Sequence, residues 1–117
     1  MEDMGFNEYQ EKAALTDLGT AAQDSLKPVG WLYYVLGLGG ETGELLEKIK
    51  KLFRDNQGKV TPEFKESVKK ELGDILWYHS RLSAHFDIKL SDVAETNITK
   101  LMSRMKRNQL HGDGDNR

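Results

Sequence analysis

The sequence predicts an all-α protein, an antiparallel helical bundle of four main helices. Three observations carry this. Apolar residues recur at three- and four-residue steps along several long segments. No stretch alternates convincingly at period two, as a half-buried strand would. Short loops with turn residues separate the segments, which suits an up-down topology.

The first helix is expected from about Glu8 to Gln23. Asn7 is placed to cap it, and Gln10 three residues on approximates a capping box. Phe6, Tyr9, Ala13, Leu18 and Ala21 can face a core. Pro28 and Gly30 mark the loop that follows.

A second helix is expected from about Trp31 to Asp55. Trp31, Val35, Leu38, Leu45, Ile49 and Leu52 form its stripe, with Thr42 filling the gap. Gly37, Gly39, Gly40 and Gly43 sit in its middle and weaken it by about 3–4 kcal/mol in total relative to alanine. The unbroken stripe nevertheless predicts a continuous helix, whose glycines let another backbone or a ligand come close.

Thr61 as N-cap and Pro62 at the first helical position start the third helix, which extends to about His85. Phe64, Val68, Leu72, Ile75, Leu82 and Phe86 make its stripe. Ser91 is the expected cap of a fourth helix, about Asp92 to Asn108. Its apolar side is Ala94, Ile98, Leu101, Met102 and Met105, and a separate side carries Asn97, Lys100, Arg104 and Arg107. Residues 108–117 are polar and glycine-rich, and a mobile tail is expected there unless a ligand or partner orders it.

A chain of 117 residues is read as one domain, 1–117. Its 17 basic and 19 acidic residues give a formal charge of −2, which argues against general nucleic-acid binding. There is no cysteine, hence no disulfide, thiolate metal site or Cys nucleophile. With no signal peptide or membrane span apparent, a soluble cytoplasmic chain with no membrane partner is expected.

The chemistry concentrates in Glu41-x-x-Glu44 and Glu71-x-x-Asp74. Each pair lies on one side of a helix, a turn apart. On a helical wheel Glu71 falls inside the apolar sector and Asp74 at its edge, and burying an unpaired carboxylate is costly. Packed side by side, the two helices would bring four acids into one cluster that demands a counter-charge. All-oxygen ligands suit Mg²⁺ or Mn²⁺. The competing reading is two solvated helix faces. Lys48 is the one basic residue within a turn of Glu41 or Glu44, at i+4 from Glu44.

The Asn97, Lys100, Arg104 and Arg107 side is an ordinary soluble surface, or, if it faces the acids, a polyanion site. Tyr78 can touch a phosphate or ribose, or serve as a packed aromatic. His79 reads as a core or interface histidine and Trp31 as core.

Glu41-x-x-Glu44, 26 intervening residues, then Glu71-x-x-Asp74 resembles the signature of the all-α nucleoside triphosphate pyrophosphohydrolases, in particular the small MazG-like branch. Gly-Glu-Thr-Gly-Glu-Leu around the first pair and Lys-Glu-Leu-Gly-Asp-Ile-Leu-Trp-Tyr around the second agree with it. Asn97-x-x-Lys100 with Arg104, and the closing Gly-Asp-Gly-Asp-Asn-Arg, are similar too. Many members carry two adjacent glutamates where this chain has Gly40-Glu41, and Glu47 is a candidate substitute for the missing acid.

The resemblance implies hydrolysis of a nucleoside triphosphate to monophosphate and pyrophosphate, with a role in clearing non-standard nucleotides. It implies Mg²⁺, or Mn²⁺, held by Glu41, Glu44, Glu71 and Asp74 as metal-binding and catalytic residues. Asn97, Lys100 and Arg104 would contact phosphate or sugar; Tyr78, from its place a turn beyond Asp74, is a further candidate substrate contact. A homodimer or homotetramer is implied as well. Two alternatives stay open: the phosphoribosyl-ATP pyrophosphohydrolase of histidine synthesis, and a non-catalytic helical oligomerisation module.

Overall fold

The computed structural model describes residues 2–116. The chain forms α1 (Phe6–Leu15), two 3₁₀ turns (Thr20–Ala22 and Asp24–Leu26), α2 (Trp31–Asn56), α3 (Pro62–His85) and α4 (Leu90–Lys106). Among the described residues there is no strand. No helix of these residues is long and apolar enough to cross a membrane. The architecture is the expected all-α bundle, but an open one. The α2–α3 hairpin is its spine, α1 packs on α3, and α4 rests on α1 and α3.

The spine follows its sequence closely. Helix α2 runs unbroken through all four glycines. It ends where Gln57 and Gly58 turn left-handed, at φ 55° and 73°. Helix α3 starts as expected, with the Thr61 hydroxyl accepting from Phe64 N–H at 3.1 Å and Pro62 in the first turn.

The first helix is eight residues shorter at its C-terminal end than expected, stopping at Leu15 instead of Gln23. Tertiary bonds explain the break. The Asp17 carboxylate accepts from Gly19 N–H at 2.9 Å, from the Tyr34 hydroxyl at 2.6 Å and from Arg81 Nε at 2.8 Å. Gly19 takes a left-handed φ of 79°. The neighbouring Thr16 hydroxyl accepts from Trp77 Nε1 at 2.7 Å. Six residues from three chain segments thus fix a turn where local propensity favours helix.

Both expected caps of α1 and α4 are also corrected. Helix α1 starts at Phe6, after Gly5, with no side-chain cap, and Asn7 lies inside it. Helix α4 starts at Leu90, so Ser91 too is inside the helix. Its first N–H groups are satisfied from α1 instead. Leu90 N–H donates to Gln10 Oε1 at 3.0 Å, and Ser91 N–H donates to Asn7 Oδ1 at 3.1 Å. Gln10 Nε2 in turn donates to the Ile88 and Ser80 carbonyls. Small side chains, Ala13, Ser80 and Ser83, are buried where α1 meets α3. His79, expected in the core or an interface, is exposed in the single chain. Trp31 packs against Phe86 with ring centroids 5.9 Å apart and is half-buried.

The single chain leaves much apolar surface uncovered. Stripe residues Val35, Leu72 and Phe86 are exposed, and so are Leu36, Leu46 and Phe53 on α2. Total accessible surface is 8958 Å². A compact monomer of this mass exposes about 6,500 Å². The radius of gyration, 17.4 Å, likewise exceeds the roughly 13 Å of a compact chain this long.

Candidate metal centre

The α2–α3 hairpin brings three of the four motif acids together. Glu41 on α2 and Glu71 and Asp74 on α3 each offer a carboxylate oxygen within 4.8 Å of the others. Glu44 is exposed and outside that trio, but its charge is felt at Glu41. Asp74 is exposed, Glu41 is half-buried, and the Glu71 side chain keeps only 12% of its exposure.

Glu71 therefore lies in the apolar sector, where the helical wheel puts it. One of its oxygens, Oε2, is buried and has no hydrogen-bond partner among the described residues. The other, Oε1, lies 3.5 Å from Lys48 Nζ. Lys48, expected beside Glu44 on its own helix, thus reaches across to α3. Burial first, then the charge of Asp74 and the hydrogen bond and charge of Glu71, raise the Glu41 carboxyl above its ordinary range. One lysine does not offset these anions, and an orphaned buried oxygen is the donor a hard cation would use. The residues fit a divalent ion such as Mg²⁺.

Glu47, the candidate substitute for the missing acid, is not in the trio. It pairs with Lys50 at 2.9 Å and Lys51 at 4.0 Å on the outer side of α2. Position 40 is open, since a Cβ there would meet nothing within 4 Å. Gly37 is different. A Cβ there would overlap the ring of Tyr78, so this glycine makes room for an aromatic of its own chain.

Tyr78 is a packed aromatic, in contact with Tyr33 at 6.2 Å and Trp77 at 5.0 Å between centroids. It also senses the acids. Burial and the Tyr33 hydrogen bond raise its hydroxyl pKa, and the charges of Glu41 and Asp74 raise it further. Tyr9 on α1 is shifted the same way, by burial and by Asp74. Tyr9 thus borders the acids, although the sequence marks it as a core candidate. Its place depends on how α1 docks, which periodicity does not encode.

The α4 residues take other partners. Asn97 and Lys100 line a groove with Ile88, Asp92, Val93 and Thr96 that contains none of the four acids. Asn97 is exposed. Lys100 and Arg104 hold the C-terminal tail, which folds back along α4. Lys100 Nζ lies 3.1 Å from Asp115 Oδ1, and Arg104 Nη2 donates to the Asp115 carbonyl at 2.6 Å and the Gly114 carbonyl at 3.4 Å. Lys100, then Arg104, hold the Asp115 carboxyl below its usual range. Arg104 itself is only 4% exposed.

Comparison with known proteins agrees with the acid signature. The MazG nucleotide pyrophosphohydrolase domain matches residues 32–108, which span α2, α3 and α4 and all four motif acids. The chain is also similar to "Gene 37 protein" of Mycobacterium phage L5, 40% identical over 109 residues, covering 93% of this chain and 96% of that protein. No solved structure matches significantly. The domain match covers more than half of the sequence, and with the helical architecture and the paired acids of α2 and α3 it shows that this chain belongs to the MazG nucleotide pyrophosphohydrolase family.

Proposed function

We propose that the protein hydrolyses a nucleoside triphosphate to the monophosphate and pyrophosphate in the presence of Mg²⁺, with Mn²⁺ as a substitute. The observation that carries this reading is Glu71. Its buried, unpartnered Oε2 lies in a trio of carboxylates that a single lysine does not neutralise. A buried carboxylate oxygen without a partner calls for an explanation, and a cation among the clustered acids supplies one. Family membership supplies the substrate class.

Glu41, Glu71 and Asp74 would hold the ion, with Glu44, a turn from Glu41, as the fourth acid. A bound Mg²⁺ supplies Lewis acidity, offsetting phosphate charge and making water a better nucleophile at the α-phosphorus. The chain's own groups prepare the site. Burial and the neighbouring acids raise the Glu41 carboxyl, a repulsion that a bound cation would offset. Tyr78, its ring seated over Gly37, presents its hydroxyl to a phosphate or ribose. On α4, Asn97, Lys100 and Arg104 are the proposed phosphate and sugar contacts. The role we assign is removal of non-standard or surplus nucleotides.

The active form is a homodimer or homotetramer. Roughly 2,500 Å² of surface beyond that of a compact monomer, rich in exposed Leu36, Leu46 and Phe53, supports this. The test is a screen of standard and damaged triphosphates, with phosphoribosyl-ATP included, under Mg²⁺. Products should be monophosphate and pyrophosphate. Release of inorganic phosphate instead, or no turnover of any substrate, overturns the reading.

A further inference from the structure

The C-terminal tail puts an anion where the proposed function puts the substrate. Lys100 and Arg104 lie one turn apart on α4, and both are engaged by Asp115. Lys100 Nζ meets the Asp115 carboxylate at 3.1 Å, and Arg104 Nη2 approaches the same oxygen at 3.5 Å. Backbone carbonyls of Gly114 and Asp115 complete the contact with Arg104. A carboxylate held by an ammonium and a guanidinium occupies the position that a phosphate oxygen would take.

Two further observations indicate a replaceable contact. The Asp115 side chain is 83% exposed, so its ion pairs are screened by water and weak. Arg104 is nearly buried, yet its Nε has no hydrogen-bond partner among the described residues. Neutral carbonyls and a distant carboxylate thus leave a buried guanidinium incompletely satisfied. A phosphate group, with more charge and more acceptor oxygens, would satisfy it better.

We propose that the tail is a self-anion latch: Asp115 occupies Lys100 and Arg104 in the free chain, and a polyphosphate ligand displaces it. The latch rests on the reading of α4 as the phosphate-contacting face. It sets a threshold, because anions weaker than a polyphosphate do not displace the tail, and occupancy of this face is coupled to release of residues 113–116. No covalent step is involved.

Binding of inorganic tripolyphosphate to the full chain, with a chelator present to keep divalent cations from the acids, tests the latch without catalysis. Calorimetry should show Asp115→Asn binding about two- to five-fold more tightly than the unaltered chain, the scale of one exposed ion pair, and Lys100→Ala binding more weakly than both. Hydrogen exchange at Gly114, Asp115 and Asn116 should quicken when tripolyphosphate is added. Equal or weaker binding by Asp115→Asn overturns the latch. So does slower exchange in the tail, which would mean that it closes over the anion. Absence of tripolyphosphate binding in every variant also overturns it, since nothing then competes with the tail. The hydrolase reading is judged separately, by the products formed from nucleotides with Mg²⁺.

Discussion

Asp17 and Arg81 form a 2.8 Å ion pair that ties the chain after α1 to the C-terminal part of α3, and both side chains are largely buried. The Tyr34 hydroxyl donates to the same carboxylate oxygen from α2, and Arg81 also lies over the Tyr34 ring. Three parts of the chain therefore depend on one anion.

Removing that anion should be costly. Asp17→Ala leaves Arg81 without its partner and the Tyr34 hydroxyl without its acceptor, and should lower stability by roughly 3 kcal/mol in urea unfolding. The pH dependence has a definite sign. Burial alone would raise the Asp17 carboxyl, but the bonds from Tyr34, Arg81 and Gly19 outweigh it and lower the pKa. Asp17 thus stabilises the fold above its unfolded value of about 4, and that contribution is lost as pH falls through the lower native value. A stability profile from pH 6 to pH 2 that is the same for Asp17→Asn and the unaltered chain would contradict this.

The glycines of α2 should respond with opposite signs. Gly40→Ala meets open space and removes a helix-weakening residue, so stability should rise by about 1 kcal/mol. Gly37→Ala pushes a methyl into the Tyr78 ring and should lower the melting temperature. Thermal melts of the two variants check this side by side.

Divalent metal should raise the melting temperature, because a ligand bound only by the folded state stabilises it. Glu71→Gln should abolish that rise and cut hydrolysis by about two orders of magnitude or more. The metal-free variant should be as stable as its parent or more stable, since repulsion with Glu41 and Asp74 is relieved and Lys48 can turn to water. Unfolding of metal-free Glu71→Gln would instead mark Glu71 as a structural ion-pair partner.

Lys100→Ala should leave the metal-induced rise intact while triphosphate affinity and turnover drop. Kinetics and melting curves on one preparation separate the two effects.

Light scattering at micromolar concentration should give a mass at least twice the 13.3 kDa of one chain. Charged substitutions at Leu46 and Phe53, both exposed on α2, should shift that mass towards the monomer.

Much of this was legible in the sequence where local physics decides. The stripe from Trp31 to Leu52 overrode four glycines, and Thr61-Pro62 marked the start of α3. Glu71 was legible as an anomaly, a carboxylate in an apolar sector, and the structure gives it a buried oxygen. Illegible were contacts made at long separation. Asp17 ended α1 through Tyr34 and Arg81, Lys48 crossed from its own helix to Glu71, and Tyr9 came to border Asp74. None of these follows from periodicity, because each depends on how two helices dock.

The caps that Asn7 and Gln10 give to α4 set an order of events during synthesis. The first helix leaves the ribosome carrying the acceptors for N–H groups 80 and 84 residues behind them. Until Leu90 and Ser91 emerge, Asn7 and Gln10 face water, and the start of α4 finds its acceptors only by long-range docking. Loss of the first ten residues would therefore be felt near the other end of the chain, as fraying at the start of α4, before it was felt in the α2–α3 hairpin that carries the acids.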